Sequence, residues 1–148
     1  MQLRRFALPS LLLVAIACGS GTNGGRPPGI IRPEIDVNLA NEVFFGSGST
    51  APATIDIRVT NTSPQPITVR RIDVESPAMT EWGLPKQSHV YNETIAPGET
   101  KPITFFATAR TITSRRSEPL SYNTRVEFEA AGQRWQEFVR VVGTRPPM

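Results

Sequence analysis

Residues 121–130 read SYNTRVEFEA, the most regular alternation of apolar and polar residues in the chain. Side chains alternate between the two faces of an extended chain, so residues two apart share a face. One face here would carry Tyr122, Thr124, Val126, Phe128 and Ala130. Every residue between them is polar. Strict alternation over ten residues predicts a β-strand with one buried face and one solvated face.

Outward from this strand, five further runs alternate with the same period: 35–39, 55–59, 67–74, 103–107 and 135–141. In the last run Glu137 interrupts the apolar positions. In run 67–74 the apolar phase slips by one residue across Arg70 and Arg71, which predicts a β-bulge; two short strands meeting there is the alternative. No window shows a convincing helical stripe. Several short strands without helices predict a sandwich or barrel.

Turn residues separate these runs. Asn61 to Pro64 can close a strand with a side-chain-capped turn. Pro97-Gly98 fits a type II turn, in which glycine accepts a positive φ. Ala131-Gly132 joins the last two strands. A two-residue loop there would place Phe128 opposite Trp135 and Glu129 opposite Arg134, but alanine is not a natural first residue of a type I′ turn, so a longer bulged loop is the alternative.

Two segments, IDIRVTNTSPQPITVRRIDV (55–74) and IAPGETKPITFFA (95–107), resemble bacterial immunoglobulin-like or fibronectin-III-like domains. Late-embryogenesis-type sandwiches share part of the pattern. The resemblance implies a single all-β, immunoglobulin-like β-sandwich of about seven antiparallel strands over residues 30–143. The cysteine pair of antibody domains is absent. No binding residue carries over from the resemblance.

The chain begins with a segment typical of exported proteins. Arg4 and Arg5 precede an apolar run from Phe6 to Ala17. This run is shorter than the roughly 20 residues that cross a bilayer. It therefore fits a cleaved signal peptide; a buried N-terminal helix is the alternative.

The end of this segment, Ala15-Ile16-Ala17-Cys18, resembles the lipobox of bacterial lipoproteins, although the family usually has leucine where this chain has Ala15. The resemblance implies cleavage between Ala17 and Cys18, which removes the signal peptide 1–17, and a diacylglyceryl group on the Cys18 sulfur. Two or more acyl chains hold a protein firmly at a membrane. Gly19, where an aspartate often retains the family at the inner membrane, favours the outer membrane. The location predicted is the bacterial cell envelope.

Residues 18–29 are rich in glycine and proline and are predicted to form the lipidated cysteine and a flexible tether. Residues 144–148 are predicted to be a C-terminal tail. Cleavage after Ala17 would remove Arg4 and Arg5 and leave 14 basic against 13 acidic residues. This near-neutral balance argues against a nucleic-acid partner.

Catalytic patterns are missing from the sequence. His89 is the only histidine and Cys18 the only cysteine, so the usual nitrogen and sulfur ligands of zinc are not available. Glu127 and Glu129 would share the solvated face of one strand. We therefore expect no enzyme activity, no cofactor and no metal.

Two features could form a contact surface. Arg115 and Arg116 lie in a polar loop, where they could meet a polyanion or an acidic partner. Segment 77–91 contains Trp82, His89 and Tyr91; a tryptophan packed on the sandwich edge is its simplest interpretation, and an aromatic contact site is the alternative.

The preferred function is non-catalytic contact with an envelope protein or polymer by a lipid-anchored domain. One alternative is a small envelope enzyme or carbohydrate-binding protein that uses the Trp82–Tyr91 segment, which a cleft joining His89, Glu93 and Trp82 would favour. The other is a purely structural spacer.

Overall fold

The computed structural model describes residues 25–79, 81–113 and 119–143, and all regular structure in these ranges is β. The eight strands are β1 (Glu34–Leu39), β2 (Thr50–Thr60), β3 (Ile67–Glu75), β4 (Trp82–Gly83), β5 (Gln87–Ile95), β6 (Thr100–Thr111), β7 (Ser121–Ala130) and β8 (Gln133–Val142).

The strands form two antiparallel sheets that pack face to face. Sheet A has the order β1-β2-β6-β4, and sheet B has the order β5-β3-β7-β8. With β1, β2 and β6 as strands A, B and E, and β3, β7 and β8 as C, F and G, this is the Greek-key order of immunoglobulin-like sandwiches. The predicted all-β sandwich is confirmed. The seven long strands correspond to the predicted number, and β4 adds a two-residue strand.

The inner faces of the two sheets form one core. In β7 every second residue from Tyr122 to Ala130 is buried, as the alternation predicted. Ile55, Ile57 and Val59 of β2 are completely buried in the facing sheet. The alternation of β6 is confirmed too, because Phe105 is buried while Phe106 is 67% exposed on the outer face.

The bulge in β3 is also confirmed. The pairing register of β3 with both of its neighbours shifts between Val69 and Arg71, so Arg70 is the additional residue. Because of the bulge, two consecutive arginines contact groups on the outer face of sheet B. Arg70 donates two hydrogen bonds of 3.0 Å to the carboxylate of Glu129, and Arg71 donates one of 2.6 Å to Asp73.

The last hairpin has a two-residue turn, so the longer loop is excluded. Ala131 and Gly132 both have positive φ, at 50° and 73°, as a type I′ turn requires. The expected cross-strand pairs are present. The rings of Phe128 and Trp135 stack with centroids 5.3 Å apart, and Arg134 pairs with Glu129 at 3.0 Å.

Ala131 offers a direct test of this turn. A side chain with a Cβ is strained at positive φ, and asparagine tolerates that region better than alanine. We expect Ala131→Asn to raise the free energy of unfolding by about 1 kcal/mol, measured by urea denaturation. Ala96→Gly, at an exposed turn position without positive φ, is the control and should give no gain. A loss of stability in Ala131→Asn would contradict the type I′ assignment.

The register of the strands defines two ends of the sandwich. The turn end carries the short connections 61–66, 96–99 and 131–132. The loop end carries the segments 40–49, 76–86 and 112–120, of which residues 80 and 114–118 lie outside the description. A strand of about ten residues separates the ends by about 33 Å.

The chain preceding β1 is fastened to the sandwich, and we call residues 25–33 the strap. Part of the predicted tether, Gly25 to Gly29, belongs to it, and Pro27 is buried. The Ile30 N–H donates to the Pro27 carbonyl at 3.1 Å, with Gly29 at φ 80°, which closes a turn of the same Pro-Gly type as Pro97-Gly98. The Ser63 hydroxyl bonds both backbone groups of Ile31.

Candidate functional site

The residues of the predicted lipidation site, Ala17 and Cys18, lie outside the described ranges, as do Arg115 and Arg116. Cleavage, lipidation and a contact through the two arginines therefore stay predictions. The described candidates fall in two separate places: Trp82 lies at the loop end, whereas His89 and Tyr91 lie along one side of the sandwich.

Trp82 is a packing residue. It forms β4 with Gly83, and only 8% of its surface is exposed. Phe45, from the loop between β1 and β2, meets the indole edge to face with ring centroids 5.7 Å apart. A Cβ on Gly83 would lie 2.9 Å from the Ser76 hydroxyl, so this position leaves no room for a larger residue. The tryptophan thus closes the core at the loop end.

Near Trp82 and Phe45, at the loop end, two large apolar side chains are exposed. Phe44, next to Phe45 in the chain, is 80% exposed, and Ile112, directly after β6, is 63% exposed. A backbone hydrogen bond of 2.9 Å from Thr111 at the end of β6 fastens the loop of Phe44 at Ser49, and another of 2.9 Å joins Ile112 to Glu81. We call Phe44 and Ile112 the loop-end pair. The sequence analysis did not identify this pair. The two adjacent phenylalanines before Gly46-Ser47-Gly48 could have indicated it, because consecutive residues of an extended segment point in opposite directions and one of the two rings must then face outward.

On the side of the sandwich that carries His89 and Tyr91, side chains of β5 cover the edge of sheet A. Strand β5 is an edge strand of sheet B. The side chains of its residues 87, 89, 91 and 93 contact β6 of sheet A. On the side that faces β5, β6 has a described strand partner only at Arg110 and Thr111. The Gln87 amide accepts from the Thr108 N–H at 2.8 Å and donates to the Thr108 carbonyl at 3.0 Å. One side chain thereby substitutes for a neighbouring strand.

His89, Tyr91 and Glu93 make further contacts along β6. His89 lies against Phe105 with ring centroids 4.4 Å apart, and the Tyr91 hydroxyl donates to the Thr104 carbonyl at 3.4 Å. Burial raises the pKa of Tyr91. Glu93 pairs with Lys101 at 2.5 Å, and this hydrogen bond raises the pKa of Lys101. These side chains are engaged in closing the sandwich.

Trp82 and His89 do not share a cleft. Trp82 is aligned with Thr111 of β6, whereas His89 contacts Phe105, six residues away along the same strand. At about 3.3 Å per residue this separation is about 20 Å. The juxtaposition that would favour an enzyme or a sugar site in this segment is therefore not formed.

The outer face of sheet B carries a network of ion pairs. Glu129 bridges Arg70 and Arg134. The hydrogen bond from Arg70 has the largest effect on the pKa of Glu129, and together with the one from Arg134 it lowers this pKa although partial burial acts to raise it. Burial acts to raise the pKa of Asp73, but hydrogen bonds from Ser88 and Arg71 outweigh it and lower that pKa. The network pairs its own charges, as expected of a solvated sheet face.

A small depression opens on the same face, where the Arg125 guanidinium lies 4.8 Å from the ring centre of Phe138. Its volume of about 50 Å³ is far below the roughly 300 Å³ at which small-molecule sites begin. The depression can hold a water molecule or two.

Within the described ranges, no three histidine, cysteine or acidic side chains come close enough to hold a metal ion. In the same ranges, no helix has the length and apolar character needed to cross a membrane.

Comparisons with known proteins add information on shape alone. The sequence matches no protein-family model and no curated protein. One similar solved structure is an X-ray structure of Northeast Structural Genomics Consortium target SoR45, which is 9% identical with a TM-score of 0.48, over 75% of this chain and 85% of that chain. Another is the crystal structure of a FixG-related protein from Vibrio parahaemolyticus, which is 11% identical with a TM-score of 0.34, over 75% of this chain and 95% of that chain. Neither likeness bears on function.

Proposed function

We propose that this protein is a lipid-anchored lipoprotein of the bacterial cell envelope, whose immunoglobulin-like domain acts by non-catalytic contact with another envelope component. The observation that carries the anchoring is Ala15-Ile16-Ala17-Cys18 at the end of a short apolar run. A folded domain that begins a few residues later, at the strap, fits an anchor attached at Cys18.

Substitution of the cysteine tests the anchor. In a bacterial host that processes lipoproteins, Cys18→Ala is expected to abolish labelling by a radioactive or clickable fatty acid, because Cys18 carries the only thiol in the chain. The variant should remain uncleaved or become soluble, as read by electrophoretic mobility and fractionation. Wild-type protein that loses its signal peptide without taking up label would overturn the anchoring.

The loop-end pair supports the contact. Phe44 and Ile112 lie in two loops of the same end, and backbone hydrogen bonds at Ser49 and Ile112 fasten these loops to neighbouring segments, so the two apolar side chains are presented on a supported backbone. Large apolar side chains at the centre of an interface contribute much of the binding energy. A protein surface is the partner that suits such a pair, because aromatic side chains are enriched and charged ones depleted at the core of protein–protein interfaces.

Photo-cross-linking in intact cells tests this contact. A photoreactive amino acid at Phe44 should give a discrete adduct to a protein, and the same group at the exposed turn-end residue Gln65 should give none. Ile112→Ser should reduce the adduct from position 44 while fractionation and thermal melting stay unchanged. Equal adducts at both positions, or none at 44, would contradict a loop-end contact.

A further inference from the structure

The strap that precedes β1 is held at several points. Ile30 is 7% exposed within the core, and Ile31 exchanges two hydrogen bonds with the Ser63 hydroxyl, of 2.7 and 3.0 Å. The Thr62 hydroxyl donates to the Arg32 carbonyl at 3.0 Å. Ser63 and Thr62 belong to the connection 61–66, so the strap lies over the turn end of the sandwich.

An ion-pair clasp fastens this strap near both of its ends. Glu137 of β8 lies at an inner-face position, where the side chain is 10% exposed. Its two carboxylate oxygens pair separately with Arg26 and Arg32, both at 3.0 Å. A carboxylate buried to this degree is costly unless it is paired. The glutamate that interrupts the apolar alternation of β8 is therefore matched to the two arginines of the strap.

The clasp determines how far the domain can move from an anchor at Cys18. With the strap fastened, seven steps from residue to residue lead from Cys18 to Gly25, and they extend to at most about 25 Å. With the strap released, 16 steps lead from Cys18 to Glu34, with a reach of about 58 Å. The reach with the strap fastened is shorter than the sandwich, whose ten-residue strands are roughly 33 Å long, whereas the reach with the strap released is longer.

The geometry points to a positioning role for the clasp: Glu137, with Arg26 and Arg32, fastens the strap so that the turn end faces the lipid surface and the loop-end pair faces away from it. The orientation rests on the lipid anchor proposed above, whereas the fastening does not. The clasp thus sets which end of the sandwich can meet a partner.

Hydrogen exchange of the full-length protein tests the fastening without a membrane. The amides of Ile30 and Ile31 donate to Pro27 and Ser63, so they should be protected. Glu137→Gln should speed their exchange about tenfold or more, because breaking a buried pair is strongly destabilising locally. Glu75→Gln, elsewhere in sheet B, is the matched control and should leave them unchanged. Arg32→Gln, at a side chain 63% exposed, provides a second variant that does not disturb the core. Strap amides that exchange as in a free peptide, or that ignore both clasp variants, overturn the proposal.

Energy transfer to a vesicle surface tests the orientation. Lipidation blocks the only native thiol, so an introduced cysteine takes the donor dye alone. In vesicles of zwitterionic lipid with acceptor-labelled headgroups, a donor on Gln65→Cys at the turn end should be quenched more than one on Ser47→Cys at the loop end. Glu137→Gln should shrink this difference by half or more. Equal or reversed quenching in the wild type overturns the orientation. Failure of the wild type to bind vesicles overturns the anchor and the orientation together, and the exchange measurement still decides the clasp.

Discussion

Phe128→Ala is expected to lower the free energy of unfolding by about 3 to 5 kcal/mol, the range for emptying a buried aromatic site. Phe128 is completely buried near the end of β7, opposite Val69 of β3 on one side and Trp135 of β8 on the other. Its ring stacks on the indole at 5.3 Å, so the substitution also removes an aromatic pair. Domains of this size are stable by only about 5 to 15 kcal/mol, so the loss could unfold a large fraction of the protein.

The neighbouring residue provides the matched control. Glu129 lies on the opposite face, where it bridges Arg70 and Arg134. Partly exposed ion pairs contribute about 0.2 to 1 kcal/mol each, so Glu129→Ala should cost about 1 kcal/mol. Urea denaturation of the two variants compares the faces directly. If Glu129→Ala were the more damaging substitution, the assignment of the core face in β7 would be wrong.

Asn61→Ala is expected to have the second largest effect, a loss of about 3 kcal/mol. The side chain is completely buried between β2 and β3. Its amide group donates to the carbonyls of Gln65 and Ile95 at 2.8 and 3.0 Å, and its carbonyl accepts from the Ser63 N–H at 2.9 Å. Removing the side chain leaves the buried backbone groups of Ser63 and Ile95 and the partly buried Gln65 carbonyl without these partners. Each buried group costs about 1 to 3 kcal/mol unless water replaces the bond.

The control for this prediction is an asparagine in an exposed environment. Asn38 of β1 has one hydrogen bond to its neighbour Asp36 on the surface. We expect Asn38→Ala to change the free energy of unfolding by less than about 0.5 kcal/mol. Thermal and urea melts of both variants would show the difference. Near-equal stability of the two would mean that water satisfies the turn at Asn61 without its side chain.

Local rules applied to the sequence predicted six of the seven long strands, and they predicted the bulge and the two-residue hairpin each beside one alternative. Alternation with period two places each side chain on a face whatever the strand later pairs with. The phase slip at Arg70 identifies the bulge for the same reason. A two-residue loop was predicted to align Phe128 with Trp135, and the structure has this loop and not the longer alternative.

Local rules did less well where a side chain serves an element distant in the sequence. The inner residues of β5, from Gln87 to Glu93, are polar and form no apolar stripe. Their hydrogen bonds and ring contacts are made to β6, the edge strand of the other sheet. Only the sandwich as a whole creates an edge whose backbone groups need such partners.

The contacts of the strap and the exposure of the loop-end pair also depend on tertiary structure. Pro28-Gly29 carries the same turn signal as Pro97-Gly98, but a turn in a glycine-rich segment says nothing about what it packs against. The carboxylate of Glu137 became a structural group only when Arg26 and Arg32 were brought to it across the sandwich. Likewise, packing against Trp82 selected Phe45 for the interior and left Phe44 exposed. Local periodicity specifies which face a residue occupies, and only the packing of distant segments specifies what that face contacts.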